Sequence, residues 1–253
     1  MTKLLLLAAV AALGIALLVP VGALGYRVEL WDLGTAFGLL RWFGRNEALA
    51  GAGLVHLAIP LALIALLLAW RNRARTTAGI AVAALLANGA SLYTVMSIRS
   101  LAQEVPAIHD ISTDLNDIPQ FVAVAALRAT GDHPVAYAGS YAQVDVAALQ
   151  REAYPELQTL HIPQAGAFER ALASAKEMGW AIAAQSAAQG RIEATATTFW
   201  FGFKDDIVIR LRPAGANMAV DLRSQSRVGR SDLGANAKRI GLYLTDLQER
   251  SAN

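Results

Sequence analysis

The sequence predicts an all-α membrane region followed by an α+β domain outside the membrane. Three observations support this prediction. The 253 residues are 55% hydrophobic and 17% charged, which is more apolar than an ordinary soluble domain. The long uncharged stretches lie within the first hundred residues. After residue 180, hydrophobic and polar residues alternate with the period of two that is typical of β-strands.

The first uncharged stretch covers residues 4–25 and predicts a first membrane span. A helix of this length, rising 1.5 Å per residue, crosses a hydrocarbon core of roughly 30 Å. A cleaved signal sequence is the alternative, because Lys3 precedes the apolar run and the small residues Ala23 and Gly25 end it. The run is longer than the roughly 7–15 apolar residues of a signal peptide, which favours the span.

Two further apolar stretches, near residues 48–70 and 77–96, predict a second and a third span. The loop between them reads RNRAR, and the positive-inside rule places such an arginine-rich loop in the cytoplasm. Three spans then put the N-terminus inside and everything after Arg99 outside. In a bacterium, we expect residues 1–100 to lie in the inner membrane and residues 104–253 to form a periplasmic domain.

His56 and Asn88 are polar residues within the second and third predicted spans. Polar groups in spans are candidates for an ion or proton path, but such a path normally needs several ionisable groups. We therefore expect both side chains to pack inward and to share a hydrogen bond between helices.

Alternating segments in the second half of the chain predict an antiparallel sheet of about four strands. The segments cover residues 180–187, 191–199, 206–213 and 217–226, with glycines between the later ones. Helices predicted at 168–178 and 232–249 carry apolar stripes that would pack on one face of this sheet. The expected domain is therefore a two-layer α+β structure with one buried and one charged sheet face.

The segment HDISTDLNDIPQF, residues 109–121, combines acidic and turn-forming residues without a helical or strand period. Asp and Asn side chains bond to their own backbone in turns, and Pro119 keeps the residue before it extended. A calcium-binding loop is the alternative, with Asp110, Asp114 and Asp117 as ligands. The segment lacks the central glycine and closing glutamate of an EF-hand, which favours the turns.

The chain lacks the sequence motifs of common enzymes. It has no G-x-S-x-G elbow, no phosphate-binding glycine loop and no H-E-x-x-H pair. It has no cysteine, and its histidines are scattered, so we expect neither a metal nor a cofactor. Its basic residues flank the predicted spans rather than forming a basic domain, so nucleic acid is not an expected partner.

Asp205 and Asp206 are the most suggestive pair of acids. Neighbouring residues in a strand point to opposite faces and would not normally face one substrate bond. A cell-envelope hydrolase or transferase that uses one of these acids with Arg227 nevertheless stays open as an alternative.

Basic residues concentrate between the third predicted strand and the last predicted helix. Grouped guanidinium groups bind anions and acidic partners, and the candidates are Arg210, Arg212, Arg223, Arg227, Arg230 and Arg239. Ion pairs and hydrogen bonds within the domain are the other interpretation. Their members would include Asp205, Asp206, Asp221, Ser224, Ser226, Ser231, Asp232 and Asn236, with Ser231 and Asp232 capping the last helix.

Two stretches, RIEATATTFWFGFKDDIVIRL and VDLRSQSRVGRSDLGANAKRI, resemble the family called domain of unknown function 1499. The members of this family resemble one sequence pattern. In it, a strand ends near F-x-F-x-D-D and is followed by the run R-S-x-S-R-x-G-x-S-D-x-G-x-N-x-x-R-I. The resemblance covers residues 109–249 and supports a domain boundary near residue 104. It implies no established activity. Some members carry a Cys near the start, where this chain reads HDIST.

Together these features predict an inner-membrane protein with an extracytoplasmic binding or scaffolding domain. We expect it not to be an enzyme. Its expected partners are membrane lipid and a protein of the envelope or membrane, recognised through the charged face of the sheet.

Overall fold

The structure, a computed structural model, describes residues 2–44, 53–137, 139–141 and 144–252. The chain divides into two compact units. The first contains Met1–Ser100 with Trp200–Gly202, and the second contains Leu101–Phe199 with Phe203–Asn253.

The first unit is helical. Its helices are α1 (Thr2–Ala16), α2 (Leu18–Arg27), α3 (Leu33–Gly44), α4 (Val55–Arg71) and most of α5 (Arg75–Glu104). Alanines from α1, α4 and α5 form its buried clusters, because small side chains let helix backbones approach closely. The buried alanines are Ala9, Ala12, Ala58, Ala62, Ala65, Ala81 and Ala84.

Only α5, among the described helices, is by itself long and apolar enough to cross a membrane. Helices α1 and α2 meet the same criterion only as a pair, which bends by 46°. Pro20 explains the break, since a proline ring collides with the carbonyl four residues earlier, and α1 ends at that residue, Ala16. Helix α4 has 17 residues and is too short.

The prediction of three spans is therefore not confirmed. The helices allow one span, or two if the bent pair counts as one. Residues 48–52, at the start of the second predicted span, lie outside the described residues.

The predicted hydrogen bond between His56 and Asn88 is wrong. Asn88 is buried, and its Nδ2 donates to the carbonyls of Ala12 and Ala84, both at 2.8 Å. His56 is exposed, and its Nδ1 lies 3.1 Å from the backbone of Gly53 at the start of its own helix. A backbone carbonyl of α1 thus takes the place of the expected histidine as the interhelical partner of Asn88.

The second unit is an α+β domain, as predicted. In chain order it contains β1 (Asp110–Ser112), β2 (Ser140–Tyr141), β3 (Val144–Asp145), α6 (Val146–Ala153), β4 (Leu160–Pro163), α7 (Ala167–Glu177), β5 (Ala181–Ser186), β6 (Arg191–Thr197), β7 (Lys204–Ala214), β8 (Asn217–Ser226) and α8 (Ala235–Ala252). Strands β2 and β3 form a separate pair.

The main antiparallel sheet has six strands rather than about four. Its order is β1-β8-β7-β6-β5, and β4 pairs with the first half of β8 while β1 pairs with the second half. The segment HDISTDLNDIPQF, interpreted as turns, therefore contains an edge strand at residues 110–112. Three residues are too few to show a period of two.

Helices α7 and α8 pack on one face of the sheet, as their apolar stripes predicted. Ile192, Ile209 and Leu222 from the sheet are fully buried in this core. Tyr243 of α8 stacks on Trp180, which precedes β5, at 5.3 Å between ring centroids. Its hydroxyl donates to the carbonyl of Ala171 in α7. The last helix begins at Ala235 rather than at residue 232.

The other sheet face is also covered, which corrects the prediction of a two-layer domain with an exposed charged face. The covering segment, residues 113–137, contains a short 3-10 helix, Val124–Leu127. Its Phe121 and Val124 pack against Val208 of β7. Because this segment is irregular, no periodic pattern in the sequence indicated a third layer.

We expect Gly190→Ala to destabilise the protein more than Gly215→Ala. Both glycines have positive φ, +58° and +63°. A Cβ at Gly190 would lie 2.2 Å from the Leu211 carbonyl oxygen, whereas nothing lies within 4 Å of one at Gly215. Backbone strain alone should cost about 1 kcal/mol at Gly215, and strain with the collision about 2–4 kcal/mol at Gly190. Thermal unfolding of the purified full chain measures both, and equal losses would contradict this account.

Candidate functional site

The basic segment, residues 223–240, joins the end of β8 to the start of α8. Side chains of a strand alternate between faces, so β8 sends its charges in two directions. Arg223 and Gln225 point towards the covering segment, whereas Ser224 and Ser226 point towards α8. The candidate residues are therefore divided between two layers of the domain.

Arg223 is fully buried in an ion pair with Asp110 of β1. Its Nε and Nη2 donate to the two carboxylate oxygens at 2.9 and 2.8 Å. Carbonyls of Pro119 and Val135 accept from the same guanidinium, which also lies over the ring of Phe121 at 4.5 Å. Arg223 therefore has no surface that a ligand could reach.

Asp206 of β7 is fully buried between two arginines. Arg128 of the covering segment donates from Nε at 2.8 Å, and Arg227 donates from Nη2 at 2.8 Å. Each arginine also donates to a carbonyl of the covering segment, Arg128 to His133 and Arg227 to Leu127. One buried carboxylate thus holds the covering segment against β7 and β8.

A polar cluster on the opposite face joins the sheet to α8. Arg239 donates to Asp205 at 2.6 Å and also contacts Ser224 and Asn236. Asn236 accepts from Ser224 Oγ and donates to Ser226 Oγ and to the His109 carbonyl. The five side chains, those of Asp205, Ser224, Ser226, Asn236 and Arg239, are thus hydrogen-bonded to one another.

Arg210 and Arg212 lie at the rim of the charged face with three acids. Asp114, Asp117 and Asp221 accept from both guanidinium groups. Partial burial alone would raise the pKa of the Asp114 carboxyl, but backbone amides of Asp117 and Asn116 and the two arginines hold it below its ordinary value. Arg212 has 43% of its side chain exposed and Arg210 has 17%.

The rest of the basic segment forms the turn into α8. Gly229 and Gly234 have positive φ. Ser231 Oγ accepts from the amide of Leu233, and the two oxygens of Asp232 accept from the amides of Gly234 and Asn236. Arg230 is exposed. Asp232 therefore caps the first turn of α8, as the sequence predicted, whereas Ser231 bonds within the turn before the helix.

Sequence reasoning missed two buried charged residues that hold the covering segment, Arg128 and Glu193. The Glu193 carboxylate accepts from the amides of Val122 and Val124, at the start of the 3-10 helix. In the sequence, Glu193 stands at an alternating position among apolar residues of β6. The alternation shows that Glu193 faces the charged side of the sheet. Its partners could not be inferred, because they lie about seventy residues away in the sequence.

The structure separates the two acids proposed for catalysis and brings only Asp206 to Arg227. Asp205 bonds to Arg239 towards α8, whereas Asp206 bonds to Arg227 on the other face. In the parts of the chain that the structure describes, no three His, Cys, Asp or Glu residues are grouped to hold a metal ion. The proposed calcium ligands Asp114 and Asp117 accept from arginines instead.

Two clefts share the side chains of Tyr154 and Leu157, and one of them adjoins the start of α8. The larger, the α8 cleft, has a volume of about 620 Å³. Its lining residues are Leu101, Val105, Tyr154, Glu156, Leu157, Asp232, Leu233, Gly234, Ala235, Ala237, Lys238 and Gly241. The smaller, about 350 Å³, is more polar and includes Asn116, Gln150, Arg151 and Gln158.

The α8 cleft contains one perturbed acid. Burial raises the pKa of the Asp232 carboxyl, against the amides of Asn236 and Gly234 that donate to it. Both of its oxygens are engaged in capping α8. Neither Asp205 nor Asp206 lines either of the two clefts.

A family model described as a protein of unknown function (DUF1499) matches residues 110–247, more than half of the 253 residues. The match confirms the resemblance carried by the basic segment and by the strands before it. None of the curated proteins matches the chain.

We expect Arg223→Ala to destabilise the fold, because it leaves the carboxylate of Asp110 buried without its partner. The expected cost is about 3–5 kcal/mol in the free energy of unfolding. Arg212→Ala, at a partly exposed side chain, should cost no more than about 1 kcal/mol. Asp110→Leu combined with Arg223→Met should recover most of the loss, since neither charge then remains. Unfolding of the full chain in detergent measures all three, and an Arg223→Ala variant as stable as Arg212→Ala would contradict the pairing.

We also expect the domain to lose stability as the pH falls from about 6.5 to about 4. Burial lowers the pKa of His109 to about 4, and the charges of His133 and Arg128 act in the same direction. The unfolded chain therefore binds a proton in this range that the folded chain does not, which favours unfolding by about 1–2 kcal/mol. His109→Phe keeps a ring stacked on His133 and removes the titration. Melting temperatures of both chains between pH 7 and 5 test this, and parallel pH profiles would refute it.

Proposed function

This chain belongs to the DUF1499 family of proteins of unknown function, and we propose that its second unit is an extracytoplasmic binding domain. It is held at a bacterial inner membrane by α5 and binds a protein partner of the membrane or envelope. The observation that carries this proposal is the α8 cleft, an apolar depression beside the point where α5 ends.

The orientation follows from α5 and the arginines before it. Arg71, Arg73 and Arg75 stand at the N-terminal end of this apolar helix. The positive-inside rule places such a cluster in the cytoplasm, so a membrane-spanning α5 delivers the second unit to the other side. The number of spans before α5 does not change this result, because the cluster directly precedes it. In a bacterium the domain is then periplasmic.

The cleft supports binding of an apolar segment with charges at its edge. Leu101, Val105 and Leu233 supply apolar walls. Small residues of α8, Ala235 and Gly241, leave room between them. Glu156 and Lys238 stand exposed at the rim, where they can orient a partner without being buried.

The charged sheet face, which the sequence favoured as the binding surface, supports the proposal less. Arg223 and Arg227 are buried in ion pairs, and Arg239 is committed to Asp205. Arg210 and Arg212 keep some exposure, but three acids already bind them. A binding site needs groups that are unsatisfied before the partner arrives, and an apolar cleft meets that condition better.

A hydrolase or transferase that uses Asp206 and Arg227 has less support. The two residues do face each other, at 2.8 Å. They do so in a closed ion pair beneath the covering segment, and a substrate would have to displace Arg128 to reach the carboxylate.

Photo-crosslinking tests the proposal. A benzoylphenylalanine at Lys238, on the rim of the cleft, should capture a protein partner from native membranes. The same residue at Lys176, an exposed lysine of α7, should not. Both are lysines on helices of the same domain, so they match in chemistry and exposure.

A filled cleft should block that capture. The Cβ at Gly241 would lie 3.8 Å from Leu157, an ordinary contact, so Gly241→Ala should retain crosslinking. Gly241→Leu should reduce crosslinking several-fold without lowering the melting temperature. Capture of lipid alone, or capture that Gly241→Leu leaves unchanged, would overturn the proposal.

A further inference from the structure

The hairpin between β6 and β7 carries four aromatic residues in six positions. Its residues 198–203 read TFWFGF, and we call them the aromatic hairpin. Phe199 is 77% exposed and Trp200 is 56% exposed. The ring of Phe201, in contrast, packs against those of Phe37 and Tyr26, at 5.7 and 6.3 Å between centroids. Large aromatic side chains are normally buried, and two adjacent exposed ones suit a binding surface.

The aromatic hairpin stands at the end of the sheet where the chain arrives from α5. Strand β1 begins with Asp110 opposite Gln225, near the end of β8. The amide of Arg227, just past that end, donates to the carbonyl of Lys204, the first residue of β7. Residues 105–109, which directly follow α5, therefore enter the domain at the same sheet end as the aromatic hairpin.

We propose that the aromatic hairpin inserts into the headgroup region of the bilayer that α5 spans. Only a few residues separate the end of α5 from this sheet end, so a spanning α5 keeps it within reach of the membrane surface. Tryptophan and phenylalanine favour that depth, since their rings are apolar and the indole N–H can still find a hydrogen-bond acceptor there.

Charge around the aromatic hairpin suits the same surface. The hairpin itself contains no charged residue, while Lys204 follows it and Arg230 lies in the neighbouring turn, both exposed. Exposed cations beside an apolar tip attract anionic phospholipid headgroups. A protein partner would not require the tip to lie at the sheet end that directly follows α5. This contact goes beyond the proposed partner binding, because it uses none of the residues of the α8 cleft.

The chain contains no cysteine, which allows a single label to report its position. Thr197→Cys puts a polarity-sensitive fluorophore at the base of the aromatic hairpin and leaves every aromatic residue in place. Ala216→Cys puts the same label in the exposed turn between β7 and β8, at the opposite end of the sheet. The full chain is reconstituted in phosphatidylcholine vesicles with or without phosphatidylglycerol, and iodide is present on both sides.

We expect the label at residue 197 to be several-fold less quenched by iodide than the label at 216. We also expect it to be more quenched by a nitroxide lipid labelled near the headgroup. Adding Phe199→Ser and Trp200→Ser should abolish both differences, because the hairpin then no longer inserts. Removing phosphatidylglycerol should weaken them.

Three results would overturn the proposal. Equal quenching at residues 197 and 216 would show that the hairpin does not approach the bilayer. Shielding of residue 197 from both quenchers would show that the hairpin is covered by protein instead. An unchanged signal in the double serine variant would show that the aromatic residues are not responsible.

Discussion

The second unit depends on the pairing of one buried carboxylate, that of Asp206, with Arg128 and Arg227. An ionised group without solvent is stable only if opposite charge and hydrogen bonds replace the water that it has lost. Asp206 receives two guanidinium groups and the hydroxyl of Thr195. One arginine comes from the covering segment and the other from beyond β8, so the charge can be buried only when three parts of the chain are in place.

This requirement explains how an irregular segment can form a layer of the domain. Residues 113–137 have no apolar stripe that would hold them by periodic packing, and Phe121 and Val124 make only a small apolar cluster. Charged groups of the sheet supply the rest: Glu193 binds the first turn of the 3-10 helix, and Arg223 binds carbonyls at Pro119 and Val135. Such interactions add little net stability compared with an apolar core, but they demand one arrangement, because every alternative leaves a charge unpaired.

The parts of this structure that local sequence could predict are those with a period. The four strands after residue 180 and the last two long helices were predicted within a few residues, because alternation and apolar stripes are local signals. The family, too, was predicted from the basic segment and the strands before it, and the capping role of Asp232 was predicted from residue type alone. Edge strand β1 was missed because it is short. The break in the first predicted span was missed because the effect of Pro20 on the preceding helical turn was not considered. Arg128 was missed because Asp206 lies 78 residues away, and Glu193 because its partners lie 71 and 69 residues away. No local pattern encodes such a pairing.

The basic segment shows why charge in a sequence is weak evidence for charge at a surface. Its arginines, serines and asparagine stand in a family pattern, yet most of them bond to one another or to acids of the same domain. Arg223, Arg227 and Arg239 serve three different places: β1, the covering segment and the start of α8. A substitution in this run would therefore lower the stability of the fold before it affected binding directly. Recognition by such a domain is better served by its apolar surfaces, the α8 cleft and the exposed rings of the aromatic hairpin. There an interaction with a partner or with lipid would bury area without breaking an ion pair.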